Sequence, residues 1–321
     1  MKALVAQALT GTAGLAYIDV DDPVSPDAVI IDVGAAGVCF PDLLLLRGEY
    51  QLRLDPPFTP GMEVAGTVHS APAGSGFTVG QRVSAMSPLG GYAERVAVPA
   101  SGVVPTPDGI DDASATALLG NYYTMYFALQ RRAALRAAET VLVLGSAGGI
   151  GVASIQIAKA LGARVVALVH RTDALEFVTS VGADVVLPLT DGWKQAVLDA
   201  TGGRGVDVVV DPVGGDAFDD AIRVLAPEGR LLVIGFAAGQ GIPTVKVNRL
   251  LLRNVSVVGV GWGEFLRHEP AAQAEVGAGL AALVAAGLRP PAPVVYPLAD
   301  GAEGLQALAD GRIRGKLVLV P

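Results

Sequence analysis

The chain has 321 residues, of which 51% are hydrophobic and 17% are charged, and its formal net charge is −8. This composition excludes a disordered chain and allows two domains. With only five lysines, the chain offers no basic surface for nucleic acid or an anionic membrane, so a small molecule is the expected partner. Because no apolar run approaches the ~18 residues of a membrane span and no signal peptide is complete, we expect a cytoplasmic location.

Residues 1–119 have the pattern of a β-rich domain. Short apolar or alternating runs are separated by Gly, Pro and Ser clusters, as in a compact barrel or sandwich. The clearest strands are predicted at 28–33, 63–69, 81–85 and 93–98, with a turn or helix at 41–47. From Asp111 the pattern becomes helical, because Asp111 or Asp112 can cap a helix that runs to Leu119. This change marks the boundary between two domains.

From residue 138 onward, strands alternate with helices. Predicted strands lie at 141–144, 164–169, 185–187, 206–210, 230–234 and 255–260, and predicted helices at 150–161, 174–181, 192–200, 217–225 and 247–252. Asp173 and Glu176 form a plausible capping box for the second helix. Strands that are apolar throughout are typical of a parallel sheet buried on both faces. Six of them with crossover helices predict a doubly wound, nucleotide-binding sheet.

A glycine-rich turn connects the first of these strands to its helix. The predicted phosphate-binding residues are Ser146, Ala147, Gly148, Gly149, Ile150 and Gly151. In such a turn, backbone N–H groups at a helix N-terminus face an anionic phosphate. Ser146 stands where the usual pattern has its first glycine. The alternative is a tight structural turn in some other α/β protein.

The end of the second strand indicates which dinucleotide binds. An NAD site has an acidic residue there, whereas a basic residue suits the additional phosphate of NADP. Here the strand ends at His170 and Arg171, and the guanidinium group can hold a phosphate with two hydrogen bonds. The sequence therefore favours NADPH, with a solvated surface charge as the alternative role of Arg171.

Several motifs together resemble a known family. They are Pro57 to Val68, Gly90 to Glu94, Gly120 to Thr124, the glycine-rich turn, Val206 to Gly215, and Gly315 to Leu319. They resemble the medium-chain dehydrogenases/reductases, and most closely the zinc-independent quinone oxidoreductase (zeta-crystallin-like) branch. The resemblance implies an α/β fold with a GroES-like β-rich substrate domain (residues 1–119 with 257–321), a Rossmann NADP-binding domain (120–256) and a substrate cleft between them. It also implies a homodimer through strand 255–260.

The resemblance extends to individual site residues. It implies that Thr124 lies beside the nicotinamide ribose and that Val213 contacts the cofactor. Because ligands bind at the carboxyl ends of parallel strands, Gly235, Phe236 and Ala237 are expected at the nicotinamide. Their alternative is an ordinary loop after a strand. Tyr126 is expected to line the substrate pocket.

Zinc relatives of this superfamily use Cys, His and Cys as catalytic ligands, and the corresponding positions here are Cys39, Met62 and Asn121. One thiolate without the other ligands cannot hold the metal, so we expect no metal site. Cys39 is then a pocket-lining or buried thiol, with a reactive or regulatory role as the alternative. The resemblance makes Tyr50 the best candidate for a proton donor, because related enoyl reductases carry a functional tyrosine at a similar place, although a tyrosine there could equally gate or line the pocket.

These expectations favour an NADPH-dependent, zinc-independent reductase that transfers hydride to a quinone or an α,β-unsaturated carbonyl. Conjugated acceptors delocalise the incoming charge and need only a proton from water or one weak acid. Two alternatives remain at this point: an enoyl-thioester (enoyl-CoA) reductase, and a non-catalytic NADPH-binding structural or regulatory protein.

Overall fold

The computed structural model describes residues 1–321, which divide into two compact units. Unit 1 comprises Met1–Gly120 and Pro290–Pro321, and unit 2 comprises Asn121–Arg289. None of the helices combines the length and the apolar character that crossing a membrane requires.

The strands and helices follow in chain order. The strands are β1 (Lys2–Ala6), β2 (Leu15–Asp19), β3 (Ala28–Val38), β4 (Glu63–Ser70), β5 (Arg82–Met86), β6 (Arg95–Pro99), β7 (Val103–Pro105), β8 (Thr140–Val143), β9 (Arg164–Val169), β10 (Val185–Pro188), β11 (Val206–Asp211), β12 (Leu225–Val233), β13 (Ser256–Gly259), β14 (Val294–Pro297) and β15 (Leu317–Val320). The α-helices are α1 (Phe40–Leu45), α2 (Asp112–Ala117), α3 (Tyr123–Tyr126), α4 (Gly149–Ala160), α5 (Leu175–Val181), α6 (Trp193–Ala200), α7 (Ala217–Arg223), α8 (Val247–Arg253), α9 (Trp262–His268), α10 (Ala272–Ala285) and α11 (Gly301–Ala309).

Unit 1 is built on a seven-stranded sheet. Six strands follow the order β14-β15-β3-β4-β5-β7, and β6 pairs with β3. Strands β1 and β2 form a separate antiparallel pair. Inward-facing apolar residues such as Leu4, Ile31 and Val64 form one core, and removing this apolar surface from water stabilises the β-rich unit. The strands that the sequence indicates in this half are all present, while β1, β2 and β14 carry no clear alternating pattern.

Unit 2 is built on a six-stranded parallel sheet in the order β10-β9-β8-β11-β12-β13. Numbered within the sheet, this order is 3-2-1-4-5-6, that of a dinucleotide-binding fold. Residues of the central strands, for example Leu142, Val166 and Val209, are fully buried because helices cover both faces. The predicted combination of a β-rich unit and a doubly wound sheet is confirmed.

The structure divides the chain differently from the sequence-based boundary. Residues 257–289 belong to unit 2 and not to the β-rich unit. The reason is that β13 pairs with β12 as the sixth strand of the parallel sheet, while the following helices pack inside the same unit. Trp262 of α9, for example, lies 5.1 Å from the ring of Phe127.

The predicted capping box is wrong. A 3-10 turn, Thr172–Ala174, precedes α5, so the N-cap residue is Ala174, whose side chain accepts no hydrogen bond. Asp173 instead pairs with Arg171, at 3.1 Å between Oδ2 and Nη2. This pair alters the surroundings of the residue expected to recognise NADPH.

The helical segment from α2 to Arg132 contains two π-helical stretches, Leu118–Tyr122 and Phe127–Arg132. Asp111 caps its start by accepting a hydrogen bond from Ser114 N at 2.7 Å, as one of the two sequence alternatives expected. Such π-helical stretches are frequent at functional sites. The first of them contains Asn121 and comes directly before α3, which carries Thr124.

Candidate functional site

The turn between β8 and α4 holds the predicted phosphate-binding residues together. Gly145 leaves β8 with a φ of +58°, and Gly148 N donates to Gly145 O at 3.1 Å, which closes the turn. Ser146 is completely buried, and its Oγ donates to Leu168 O at 2.6 Å. The hydroxyl therefore fastens the turn to β9, a contact that a glycine here could not make.

The helix begins immediately, with Gly148 as its N-cap. The first N–H groups of α4 have no carbonyl partner within the helix, so Gly149, Ile150 and Gly151 present donors and the positive end of the helix dipole. A Cβ on Gly151 would lie 2.4 Å from Gly145 O, whereas one on Gly148 would meet only that oxygen, at 3.5 Å. Gly151 therefore permits close packing of helix and turn, while Gly148 leaves open space for a ligand.

The loops after β11 and β12 form the next part of the site. Asp211, which is 1% exposed, accepts hydrogen bonds from Val213 N and Gly214 N, both at 2.8 Å. Burial raises the pKa of this carboxyl, and the two backbone donors oppose the rise. Ala237 N donates to Pro212 O at 3.1 Å, which joins the two loops. Val213, Gly235, Phe236 and Ala237 are thus brought together at the carboxyl ends of adjacent strands.

The two basic candidates follow β9. Both His170 and Arg171 are exposed, and Arg171 reaches Asp173 through Nη2. A guanidinium that is half exposed and held beside one carboxylate can still direct donors to a second anion. Arg171 is therefore accessible from solvent after β9, but it lies beside a negative charge.

The helical segment supplies residues over the start of α4. A Cβ on Gly149 would lie 2.3 Å from Asn121 Nδ2, so the amide of Asn121 packs on the N-terminus of α4. Thr124 is partly exposed on α3, which packs against the same helix. The Tyr126 hydroxyl lies against Gly279 of α10, where a Cβ would come within 2.1 Å of it. Tyr126 is thus directed toward α10 within unit 2.

In unit 1, Cys39 and Tyr50 lie on either side of α1. Cys39 is the N-cap of this helix, and its N–H donates to Asp42 Oδ2 at 2.8 Å. Tyr92 donates its hydroxyl to the same oxygen at 2.8 Å. Desolvation, together with the negative charge of Asp42, raises the pKa of Tyr50. The Tyr50 phenol therefore carries its proton at neutral pH and is partly exposed.

A buried charged cluster adjoins Cys39. Lys316 Nζ donates to Cys39 Sγ at 3.3 Å and forms an ion pair with Glu63 Oε2. Glu63 is completely buried, and its Oε1 has no hydrogen-bond partner. The backbone makes room for the pair at two glycines, because a Cβ on Gly120 would collide with Glu63 Oε1 and one on Gly37 would lie 2.9 Å from Lys316 Cε.

The residues at the three positions of the zinc ligands do not fit a zinc ion. Met62 and Asn121 offer neither an imidazole nor a thiolate, and the only thiol of the chain, Cys39, faces an ammonium group. No group of three or more His, Cys, Asp and Glu side chains could hold a metal ion.

Sequence reasoning did not identify the charged cluster. Glu63, Tyr92 and Lys316 occur within the family-like motifs, where they read as parts of strands and turns. The signal that could have drawn attention to Glu63 and Lys316 is a charged residue directly at the start of an apolar strand, because such a charge is buried only with a partner. The partner itself lies 253 residues away and carries no local mark.

Comparison with known proteins agrees with this architecture. The model of the alcohol dehydrogenase GroES-like domain matches residues 25–108, and that of the zinc-binding dehydrogenases matches residues 149–276. The second range contains none of the three positions at which zinc relatives have ligands. Its description therefore names a family and says nothing of a metal in this chain.

Individual relatives are more specific. The quinone oxidoreductase-like protein 2 of Bos taurus is 39% identical over 246 residues, which cover 76% of this chain and 70% of that protein. A probable oxidoreductase from Mycobacterium abscessus has 60% identity and a TM-score of 0.94, with 100% of this chain and 99% of that chain covered. The quinone oxidoreductase of Thermus thermophilus, also solved in complex with NADPH, has 36% identity and a TM-score of 0.86, with 100% of both chains covered.

The GroES-like and dehydrogenase matches, the order of the parallel sheet and these relatives all agree with the motifs described above. The chain belongs to the quinone oxidoreductase (zeta-crystallin-like) family of zinc-independent medium-chain dehydrogenases/reductases.

Proposed function

We propose that this protein is an NADPH-dependent reductase that transfers hydride to a quinone or an α,β-unsaturated carbonyl without zinc. The observation that carries the proposal is the site in unit 2, where an open glycine turn at the N-terminus of α4 lies next to β9, the strand that Arg171 follows. The NADPH complex of the Thermus thermophilus relative supports the same cofactor.

The residues of unit 2 fit this cofactor. The N–H groups of the turn and of the first residues of α4 would hold the pyrophosphate, since they combine free donors with a favourable dipole. Arg171 would hold the 2′-phosphate, with His170 beside it. Thr124, Val213 and the loop from Gly235 to Ala237 would position the nicotinamide end. When bound, NADPH would supply the hydride for the acceptor.

The residues of unit 1 favour a conjugated acceptor. An isolated alcohol or ketone needs a strong electrophile to stabilise charge on oxygen, and zinc relatives use the metal for this purpose. This chain lacks two of the three zinc ligands, so no metal would stabilise that charge. A quinone or enone does not need one, because it delocalises the charge itself. Tyr50, partly exposed and protonated, is the side chain that we propose as the source of the balancing proton, and Cys39 lines the same region.

The decisive experiment is a panel of quinones, simple enones and enoyl thioesters, each tested with NADPH and with NADH. We expect NADPH-dependent reduction of quinones or enones, and a loss of NADPH affinity in Arg171→Ala of about 10- to 100-fold with little change for NADH. Preference for enoyl thioesters would favour the enoyl-CoA reductase, and tight NADPH binding without any turnover would favour the non-catalytic alternative.

Unchanged rates in Tyr50→Phe would exclude Tyr50 as the proton donor.

We also propose a homodimer through residues 255–260. Strand β13 is the last in its sheet and has a neighbour on one side only. The preceding helix α8 exposes Val247, Leu251 and Leu252, each more than 70% exposed. An open sheet edge and exposed apolar side chains are each typical of an interface. Light scattering should give twice the chain mass, and Leu251→Asp should reduce it; a monomeric wild type would disprove the dimer.

A further inference from the structure

The buried cluster of unit 1 contains two acids and one base. Lys316 Nζ lies 3.3 Å from Cys39 Sγ and contacts Glu63 Oε2 on its other side. The Glu63 side chain is fully buried and that of Lys316 is 6% exposed, whereas Cys39 is partly exposed. A single ammonium group therefore stands between a carboxyl and a thiol, and Cys39 is the most exposed of the three residues.

The ammonium group can fully neutralise only one of these acids. Lys316 forms its ion pair with Glu63 and makes only a longer contact, of 3.3 Å, with the Cys39 sulfur, so the carboxylate is the anion that the ammonium group neutralises and the thiol keeps its proton. Desolvation and the negative charge of Glu63 raise the pKa of the Cys39 thiol, while Lys316 alone acts in the opposite direction. A neighbouring lysine without Glu63 would instead promote a reactive thiolate.

We propose that Glu63, by engaging Lys316 as its own ion-pair partner, keeps Cys39 in the thiol form and so protects this protein from alkylation by its own electrophilic acceptors. In this respect the inference rests on the proposed function. Glu63 and Lys316 act through Cys39 and are therefore positioning residues.

The other titratable groups near Cys39 do not change this balance of charges. Asp42 accepts the Cys39 N–H, and its negative charge raises the pKa of the thiol further. Tyr50 follows α1 and is a neutral phenol at physiological pH. Tyr92 donates its proton to Asp42 and brings no charge. Lys316 is thus the cation that would favour a thiolate, and Glu63 is the anion that neutralises its charge.

The reaction that this arrangement would suppress is conjugate addition. A Cys39 thiolate attacks the β-carbon of an enone or a ring carbon of a quinone, and a C–S bond forms. The electron pair of the C=C bond forms the new double bond to the carbonyl carbon, the π pair of the C=O bond moves to oxygen, and the proton lost by the thiol completes the adduct. No further reactant is required, so lowering the fraction of thiolate is enough to slow the reaction.

The test uses the fact that Cys39 is the only cysteine of the chain. Iodoacetamide labelling followed by intact mass measures its reactivity without any catalytic turnover. We expect Glu63→Gln to be labelled at least about tenfold faster than wild type at pH 7, with a lower apparent thiol pKa in the pH–rate profile. The double variant E63Q/K316M should return to the slow rate, because no cation remains to stabilise the thiolate.

The double variant separates electrostatics from loosening of the structure. If E63Q and E63Q/K316M were labelled equally fast, a general opening around Cys39 would explain the result and the proposal would be overturned. A folded E63Q that is labelled no faster than wild type would overturn it as well. If E63Q does not fold, Glu63→Asp replaces it: the shorter side chain draws the carboxylate away from Lys316, so faster labelling than wild type supports the proposal and an unchanged rate contradicts it.

A second arm uses the acceptor itself. With p-benzoquinone and NADPH, E63Q should lose activity during turnover and gain the mass of one quinone, while wild type should retain both its activity and its mass. Failure of every acceptor in the panel would remove the proposed function but would leave the iodoacetamide comparison fully interpretable. The two proposals can therefore fail separately.

Discussion

The glycine turn of unit 2 is formed by backbone groups, whereas the charged cluster of unit 1 is formed by side chains. In the turn between β8 and α4, backbone groups and missing side chains create the site, and all of its parts lie within a few residues of one another. In the cluster, Cys39, Glu63 and Lys316 come from distant parts of the chain, and their side chains make the contacts. The turn depends on the missing side chain at positions such as Gly151, whereas the cluster depends on matched charges.

This difference determines how each region should fail. A substitution in the turn changes shape and affects ligand binding together with local packing. A substitution in the cluster leaves a charge without its partner in a place that water does not reach, which is among the most costly changes in a folded protein. The comparison can be tested with matched variants in the two regions.

The largest effect is expected for Lys316→Met. The substitution preserves length but leaves Glu63 buried and unpaired, so the free energy of unfolding should fall by about 3–5 kcal/mol. The matched control is Lys159→Met in unit 2, which removes the exposed pair with Asp184 and should cost about 0–1 kcal/mol. Urea denaturation of both variants measures the difference; equal losses would show that burial does not distinguish the two pairs.

Within the turn, we expect Gly151→Ala to disrupt the packing between the turn and α4 most. The new Cβ would lie 2.4 Å from Gly145 O and 2.5 Å from Ser146 Cα, both backbone atoms that cannot move separately. We expect a stability loss of about 1–3 kcal/mol and at least tenfold weaker NADPH binding, measured by fluorescence titration. Gly263→Ala on α9, where no atom lies within 4 Å of the new Cβ, should be neutral or slightly stabilising.

A pH experiment examines the carboxyl beside the cluster. Burial raises the pKa of Asp42 from its ordinary 3.8 to about 6. The stability that Asp42 contributes is therefore complete below about pH 3.8 and is lost as the pH rises through about 6. The free energy of unfolding of Asp42→Asn minus that of wild type should therefore increase by about 2–3 kcal/mol as the pH rises from about 4 to about 7.

Denaturation at the two pH values measures this gain. The control is Asp310→Asn, because hydrogen bonds from Gln306 and Arg312 lower the pKa of that exposed carboxyl. This variant should gain no stability as the pH rises. An Asp42→Asn variant whose difference from wild type is independent of pH would show that Asp42 is ionised throughout.

The smallest effect concerns Asp173. Its carboxylate lies 3.1 Å from Arg171 Nη2 and would stand beside the 2′-phosphate of a bound NADPH. Because the pair is exposed and screened, Asp173→Asn should strengthen NADPH binding by only a few-fold, with a smaller gain at high salt. NADH, which lacks the phosphate, is the control ligand, and an equal gain for NADH would remove the electrostatic explanation.

The sequence predicted what depends on local pattern. The six apolar strands of unit 2 and the turn from Ser146 to Gly151 are marked by consecutive residues, so their nature and their order could be inferred. The roles of Tyr50, Tyr126 and Thr124 remain predictions. The boundary at 257 was placed too early because an apolar edge strand carries no sign of the unit that it joins.

Long-range contacts explain most of what the sequence did not reveal. Glu63 pairs with Lys316, which lies 253 positions away in the sequence. No residue next to either of them in the sequence indicates this pairing. The capping box at Asp173 failed for a local reason, because a 3-10 turn moves the start of α5 to Ala174 and the Asp173 carboxylate pairs with Arg171. Periodicity records which face is buried but not which charges meet there.

Gln156 of α4 gives unit 2 a further property. Its Oε1 accepts the Tyr122 hydroxyl at 2.6 Å, and its Nε2 donates to Arg289 O at 3.0 Å. One side chain thus ties together the first and the last turns of the continuous segment 121–289. A domain whose two ends lie close together can be inserted into another chain or circularly permuted with little strain. The ends of unit 2 meet this condition, so we expect it to tolerate both changes.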